Sequence, residues 1–371
     1  MKMKSLDIIK IVFFCLFPFI SSCREEMGEE PAHNAPVSDE ISFDLEFATR
    51  AQSAEGLDLE DPEKYFEDGV SCVLISQRSG SVSLNFNENS SNCYKYIYYK
   101  NEAANWDSEY NFKSQRPLGW EKIKYNGQYG NGFGFGALFF PKGYTYIEKI
   151  NADQSDPNEF QESDVLGSWH STDNIGDRLR FRLYHLMCKL QIDLYLPVWD
   201  EETATGFNAG AVKDATTIGF RTDYAIEWGE RSTEMPPYAK PSESADGEKI
   251  DIRMYRSSYN EDNDEVIDLT PYDIKEQQTD KVRKVSFEVL FPEQTVTGDF
   301  LRFKIARGAI EYNYVFNSAN LRQNGIDFAI KAGEVTKLSL YMPRNDNDLV
   351  LIEAQLLKWN ESKASFTITP D

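Results

Sequence analysis

Histidine is scarce in this sequence, with three residues, His33, His170 and His185, among 371. None of them stands at a spacing that tetrahedral metal sites use. The sequence also lacks the Gly-x-Ser-x-Gly, His-Glu-x-x-His and P-loop motifs. The residues therefore predict no catalytic group, no metal site and no cofactor, and we expect His185 to be a satisfied, partly buried imidazole in a strand.

Long apolar runs are missing after the first 22 residues. At the start, three lysines precede the apolar run 11–20, which is too short to span a bilayer. Small residues and then Cys23 follow, which is typical of a lipoprotein signal peptide over residues 1–22 with acylation of Cys23. Because two acyl chains hold a protein firmly at a membrane, we expect a tethered mature protein. A plain signal peptide with an incidental Cys23 is the alternative.

Positive charge is in deficit, since 39 lysines and arginines face 61 carboxylates and the formal net charge is −22 at pH 7. A surface this acidic repels phosphate backbones, so no nucleic-acid partner is expected. Residues 23–40 are polar and charged and cannot bury enough apolar area to fold alone, which predicts an acidic tether. The acidic pair Glu25 and Glu26 behind Cys23 resembles a signal for display on the outer surface of Gram-negative cells.

Few cysteines are available for disulfide bonds, because Cys15 is removed with the signal peptide and Cys23 is the predicted lipid anchor. Cys72, Cys93 and Cys188 remain, and three cysteines cannot all pair. No disulfide framework is therefore expected to hold the fold, although a Cys72–Cys93 bridge is left open for an oxidising compartment. Stability should come from the size of the core.

Alternation of apolar and polar residues is abundant, and this is the pattern of half-buried strands. Residues 41–47 alternate strictly, with Ile41, Phe43, Leu45 and Phe47 on one face. Further strands are predicted at 70–75, 82–86, 94–99, 137–140, 144–147, 179–183, 190–196, 218–220, 285–291, 301–305, 338–342 and 350–356.

These strands predict an all-β protein, because helix-period segments are short and do not alternate with the strands. We expect two β-sandwiches, an N-terminal one over residues 41–165 and a C-terminal one over residues 166–371. A short helix is expected after Asp61. The polar stretches 230–249 and 257–264 are expected to be long loops on the second sandwich.

The tyrosines and tryptophans between Tyr94 and Trp120 have two interpretations. Their faces could stack on the apolar surfaces of sugars, or they could form the core and rim of a strand pair. The second is favoured, because aromatic residues are common in strands.

Several motifs follow one another along the whole chain. Behind the lipoprotein leader and the tether, the first strand is followed by Thr49-Arg50-Ala51. Residues 181–192 contain the pattern His-x-x-x-Lys-Leu at 185–190, and residues 330–340 with 352–359 form an Ala-Gly-x-x-x-x-Leu pattern that ends at Trp359. In this order the motifs resemble the fimbrillin family, the lipoprotein-derived subunits of type V pili.

The resemblance implies two tandem transthyretin-like antiparallel β-sandwich domains in a fimbrial (pilus) subunit that serves adhesion and has no enzyme activity. Such a subunit reaches the cell outer membrane as a lipoprotein and is cut by an arginine-specific protease, here between Arg50 and Ala51. Removal of the strand 41–47 leaves a groove that accepts a strand from another fimbrial subunit. The donor strand would lie in the C-terminal segment, where Phe366 and Ile368 share one face.

Only twelve residues follow Trp359, which is short for a full donor. A tip subunit needs a groove but no donor, and an anchor subunit needs a donor but no cleavage, so the three roles of stalk, tip and anchor stay open. A different class of function also stays open: an outer-membrane lipoprotein that keeps its anchor at Cys23 and binds glycans through the aromatic residues between Tyr94 and Trp120.

Overall fold

The computed structural model describes residues 41, 43–47, 71–76, 93–98, 112–116, 118–120, 133–140, 149–228, 236–243, 247–271, 279–321, 328–344, 348–358 and 365–368. Strands dominate these residues. In chain order they are β1 Phe43–Phe47, β2 Ser71–Ser76, β3 Cys93–Tyr98, β4 Phe112–Lys113, β5 Phe133–Phe140, β6 Leu166–Thr172, β7 Leu179–His185, β8 Cys188–Pro197, β9 Val212–Arg221, β10 Tyr224–Glu227, β11 Tyr238–Pro241, β12 Lys249–Arg253, β13 Tyr255–Asp268, β14 Thr279–Phe291, β15 Gln294–Val296, β16 Asp299–Arg307, β17 Ile310–Asn317, β18 Phe328–Ile330, β19 Glu334–Tyr341, β20 Val350–Lys358 and β21 Ser365–Ile368.

The predicted all-β class is confirmed. The described α-helix, α1, covers only Pro157–Glu162 and was not predicted. It begins after Asp156, whose carboxylate accepts a hydrogen bond from the Asn158 amide at 2.8 Å, and Pro157 stands at its first position. Both residues are those that start helices. No described helix is long and apolar enough to cross a membrane. The short helix expected after Asp61 lies outside the described residues.

The first large sheet has seven strands in the order β1-β7-β6-β5-β2-β3-β4. Its members pair antiparallel except for β1 and β7, which are parallel. One face of this sheet encloses its own apolar cluster, to which most of its strands contribute. The expected division at residue 165 falls inside this sheet, because β6 and β7 follow that residue and pair with earlier strands. Pairing moves to another sheet between His185 and Cys188.

The C-terminal half forms a β-sandwich. A four-stranded sheet, β12-β9-β16-β17, faces a six-stranded sheet, β13-β14-β8-β19-β20-β21. Aromatic pairs join the two across the core: the ring centroids of Phe220 and Phe291 are 4.6 Å apart, and those of Phe287 and Phe303 are 6.2 Å apart. Two short pairs, β10-β11 and β15-β18, complete the pairing among the described strands.

The loop prediction for residues 257–264 is wrong, because these residues lie within β13. This strand is at the edge of the six-stranded sheet and pairs with β14 through two irregularities of register. Its sequence is polar, so period-two alternation of apolar residues is absent. Main-chain hydrogen bonds to one neighbour are enough to form such an edge strand. The stretch 230–249 likewise contains β11 and the start of β12.

Cys72 and Cys93 are both buried and are not joined in a disulfide. Register pairs Ile75 with Cys93, so Cys72 lies three residues farther along β2, about 10 Å away. Cys72 also belongs to the apolar cluster on one face of the sheet and Cys93 to that on the other. A disulfide needs shorter separation and facing side chains. Burial raises the pKa of the Cys72 thiol, so it is an inert core residue.

Candidate subunit interface at the first strand

Strand β1 is the edge of the seven-stranded sheet and has one strand neighbour, β7, among the described residues. The two run parallel in continuous register, from Phe43 opposite Leu179 to Phe47 opposite Leu183. Alternation places Leu179, Phe181 and Leu183 on the buried face of β7. The apolar positions of β1 therefore align with the apolar positions of β7, as the strict alternation of residues 41–47 predicts.

The first strand also contacts a strand near the opposite edge of the sheet. The ring of Phe43 packs edge-on against Tyr96 of β3, with centroids 4.9 Å apart, and lies 6.5 Å from Phe181 of β7. In sheet order, β3 and β1 are separated by four strands. The sheet therefore curls until its two sides meet, and Phe43 fills the space between them.

Ile41, two residues before β1, is connected by a main-chain hydrogen bond to the part of the chain that lies next to β3. The Ile41 amide donates to the Leu118 carbonyl at 2.8 Å, and the Leu118 amide donates to the Tyr96 hydroxyl at 2.8 Å. Ile41 is only 2% exposed. The segment 41–47 thus closes the sheet, with β7 on one side and the Tyr96–Leu118 contact on the other.

The outer face of β7 is basic. Arg180 and Arg182 are exposed, and the Arg182 guanidinium lies 5.7 Å from the centre of the Tyr184 ring. Register places Asp44 opposite Arg180 and Glu46 opposite Arg182.

His170 of β6 lies beside this region, with its ring 5.9 Å from that of Phe181. Partial burial lowers the pKa of His170, and the nearby Asp177 carboxylate acts in the opposite direction. The other strand histidine, His185, is 2% exposed and its Nδ1 lies 2.8 Å from the Asp164 carboxylate. Its predicted place in a strand is confirmed, and it is more deeply buried than expected.

This arrangement is a sheet edge that is covered by one short strand. Without residues 41–47, the edge of β7 would expose main-chain amides and carbonyls together with the apolar side chains of Leu179, Phe181 and Leu183. Fully burying one large aliphatic or aromatic side chain contributes roughly 1.5–3 kcal/mol. An open sheet edge beside an apolar row is a site for β-strand addition. Among the described residues, no group of three or more His, Cys, Asp or Glu side chains could hold a metal ion.

The structure describes only some of the other predicted site residues. Cys23, Arg50 and Ala51 lie outside the described residues. Phe366 and Ile368 belong to β21, where they stand opposite Leu356 and Ala354 of β20 in an antiparallel ladder. In this structure the candidate donor strand is therefore paired with its own chain.

The described aromatic residues of the candidate sugar platform are core residues. Tyr94 is 3% exposed, Tyr96 is 1% exposed and Trp120 is 3% exposed. The indole of Trp120 packs edge-on against Phe133 and Phe135 of β5. The favoured interpretation as strand-pair core is confirmed for these three, and Trp106 lies outside the described residues.

Sequence reasoning missed the partners of the first strand. Leu118 gave no signal, because its contact with Ile41 is made by main-chain atoms. The basic partners did leave a signal: Arg180 and Arg182 alternate with apolar residues in β7 as Asp44 and Glu46 do in β1. Matching the two patterns by charge would have suggested the pairing.

No family model matches the sequence, and no curated protein sequence matches it significantly. Among solved structures, the chain is similar to a proposed cell adhesion protein from Bacteroides uniformis, with 11% identity, a TM-score of 0.44 and coverage of 80% of this chain and 94% of that one. It is also similar to a fimbrial protein from Bacteroides ovatus, with 14% identity, a TM-score of 0.38 and coverage of 82% and 50%. A fimbrial assembly protein from Parabacteroides distasonis has 10% identity, a TM-score of 0.36 and coverage of 89% and 100%. These proteins are described as cell-adhesion and fimbrial proteins.

Proposed function

We propose that this protein is a fimbrial subunit of the fimbrillin type that serves adhesion and has no catalytic role. It is exported as a lipoprotein, anchored through Cys23 in the outer membrane and displayed on the cell surface. Cleavage after Arg50 then releases residues 23–50, and the subunit enters the fimbrium by accepting a strand from another subunit.

One observation carries this proposal: the segment 41–47 closes the seven-stranded sheet, although it lies at the edge of that sheet. Its strand has one described strand neighbour, and its start is held by a main-chain hydrogen bond from Ile41 to Leu118. Arg50 follows the strand by three residues, so a cut there separates the closing strand from the rest of the chain. The remaining strands of the sheet stay connected to one another through β7, β6, β5, β2 and β3.

We also propose that the chain is organised as two transthyretin-like sandwich domains. The seven-stranded sheet and its enclosed apolar cluster support the first, and the facing four- and six-stranded sheets support the second. We place the change between them at 186–187, where strand pairing moves from one sheet to the next, instead of at residue 165.

The cleavage step can be tested with Arg50→Ala in the native cells. We expect the variant to remain a lipid-linked, unassembled chain, because the arginine-specific protease has lost its site and the groove stays filled. The matched control is Arg78→Ala, an arginine in another polar stretch, which should assemble as the wild type does. Material sheared from the cells is separated by size and weighed. Normal assembly of the Arg50→Ala protein would disprove processing at this position.

Burial of Tyr94, Tyr96 and Trp120 counts against the glycan-binding alternative, because these three rings are not available to stack on a sugar. We therefore carry strand exchange forward as the single proposed function.

A further inference from the structure

The edge of β7 that β1 covers has one apolar face and one face with two exposed arginines. From the register and charges at this edge, we propose that the groove left by residues 41–47 selects a donor strand in which carboxylates alternate with apolar residues. The chain's own C-terminal segment does not have this pattern. The preferred donor is therefore a subunit with a different sequence and not a second copy of this chain. The inference rests on the proposed strand exchange.

The inner, apolar row of the groove requires only that the donor strand has apolar side chains on the face that it buries. Leu179, Phe181 and Leu183 of β7 stand opposite Phe43, Leu45 and Phe47 and line the buried face. Any strand with apolar residues at alternate positions satisfies this row, so it cannot by itself distinguish one donor from another.

The outer row does distinguish donors. Arg180 and Arg182 are exposed on the opposite face of β7, and the residues in register with them in the resident strand are Asp44 and Glu46. Two arginines one strand period apart repel a donor that places lysine or arginine opposite them and favour one with carboxylates there. An uncharged donor loses both attractions.

The chain's own candidate donor is uncharged at these positions. If Phe366 takes the place of Phe43 and Ile368 that of Leu45, then Thr367 and Thr369 stand opposite the two arginines. Both are hydroxyl residues, and the nearest preceding charge in that segment is Lys363. Copies of this chain are therefore poor donors for one another, whereas a subunit whose donor strand alternates apolar and acidic residues is a good one.

The test uses the full chain cut after Arg50 by an arginine-specific protease and three fluorescent peptides in competition with the resident strand. The first peptide has the sequence of residues 40–48, the second carries Asp44→Asn and Glu46→Gln, and the third has the sequence of residues 364–371. Two cross-strand charge pairs at about 0.2–1 kcal/mol each correspond to about 2- to 30-fold in affinity. We expect the first peptide to bind tighter than the second by this factor and the difference to shrink at high salt, because both arginines are exposed.

Variants assign the preference to the two arginines. The double variant Arg180→Gln/Arg182→Gln should bind the acidic and neutral peptides equally well. The matched control is Arg302→Gln, which removes an exposed arginine that pairs with Asp251 on another sheet and should leave the preference unchanged. A version of the third peptide with Thr367→Asp and Thr369→Glu should gain affinity for the wild-type groove.

The possible results separate the inference from its premise. Equal affinity of the acidic and neutral peptides, with both entering the groove, would overturn the donor preference and leave strand exchange standing. Binding of the unmodified C-terminal peptide as tightly as the acidic one would overturn the preference as well. Failure of every peptide to enter the cut chain would overturn both strand exchange and the preference built on it.

Discussion

The two halves of this protein hold their sheets together in different ways. The seven-stranded sheet is closed by a short parallel strand near the start of the chain, fixed by Phe43, by Ile41 and by one ladder to β7. The C-terminal sandwich is held together by long central strands. Strand β8 pairs along most of its length with both β14 and β19. The first sheet therefore depends for its closure on one short edge strand, whereas the core of the sandwich is held by ladders on both sides of β8.

Buried charges strengthen the difference. In the sandwich, Lys189 of β8 pairs with Glu288 of β14, and both are 1% exposed. Asp193 accepts from Ser286 at 2.6 Å and pairs with Lys337 at 2.8 Å, which connects β8 with both neighbours. Such pairs lose their partners, and become costly, if a strand leaves. They are suited to strands that stay in place.

The largest expected effect is on the sandwich core. Phe291→Ala removes a fully buried ring that packs against Phe220, and we expect it to lower the free energy of unfolding by roughly 3–5 kcal/mol. Val266→Ala, in the same sheet but 73% exposed, should change it by less than about 0.5 kcal/mol. Chemical denaturation measures both. A small loss for Phe291→Ala would contradict the view that the sandwich is the permanent core.

A second substitution separates buried from exposed charge pairs. Glu288→Gln leaves Lys189 buried without its carboxylate, so we expect a loss of roughly 3–5 kcal/mol in unfolding free energy. The control is Glu311→Gln, in the exposed pair of Lys304 and Glu311, where the loss should be about 0.2–1 kcal/mol. Similar losses at both positions would show that burial does not distinguish the two pairs. Denaturation at neutral pH is the measurement.

The third effect is confined to the closing strand. Phe43→Ala removes a partly buried ring from between β3 and β7, and we expect a loss of roughly 1–3 kcal/mol. Hydrogen exchange should accelerate in β1 and β7 and stay unchanged in β8 and β14, because the sandwich does not depend on this strand. Ile310→Ala, at an exposed strand position, is the control and should alter neither region. Faster exchange throughout the chain would remove the distinction between the halves.

The smallest effect is a pH dependence of the first sheet. Because burial lowers the pKa of His170 in the folded protein, the unfolded chain binds more protons below its ordinary pKa of about 6.5. The stability that His170 contributes is complete above that pH and is lost as the pH falls towards the folded value. The protection factors of amides in β6 and β7, which correct for the intrinsic pH dependence of exchange, should therefore fall from pH 7 to 5.5, and His170→Gln should reduce this fall. No change in the variant's pH profile would exclude His170 as the cause.

Strands with strict alternation were predictable from sequence, because one face of each is buried. Residues 41–47 and 179–183 were identified in this way, as were the central strands of the sandwich. Strand β17 was missed although Ile310, Tyr312, Tyr314 and Phe316 alternate with polar residues, so the signal was present. Strand β13 was beyond this method, since an edge strand needs main-chain partners and not an apolar face.

Pairing was harder to predict than strand position. The parallel ladders of β1 with β7 and of β8 with β19 join segments far apart in sequence, and alternation does not specify a partner. The candidate site was therefore predictable as a strand but not as a closure between two sides of one sheet. The charges of Asp44, Glu46, Arg180 and Arg182 were the information that could have joined the two segments.

The central claim is that the closing strand is removed from the working subunit. The most direct measurement is the intact mass and N-terminal sequence of the protein sheared from the surface of its native cells. The account predicts a chain that begins at Ala51 and carries no lipid. A chain that still begins at acylated Cys23 would contradict it, because the first strand would then remain in its groove.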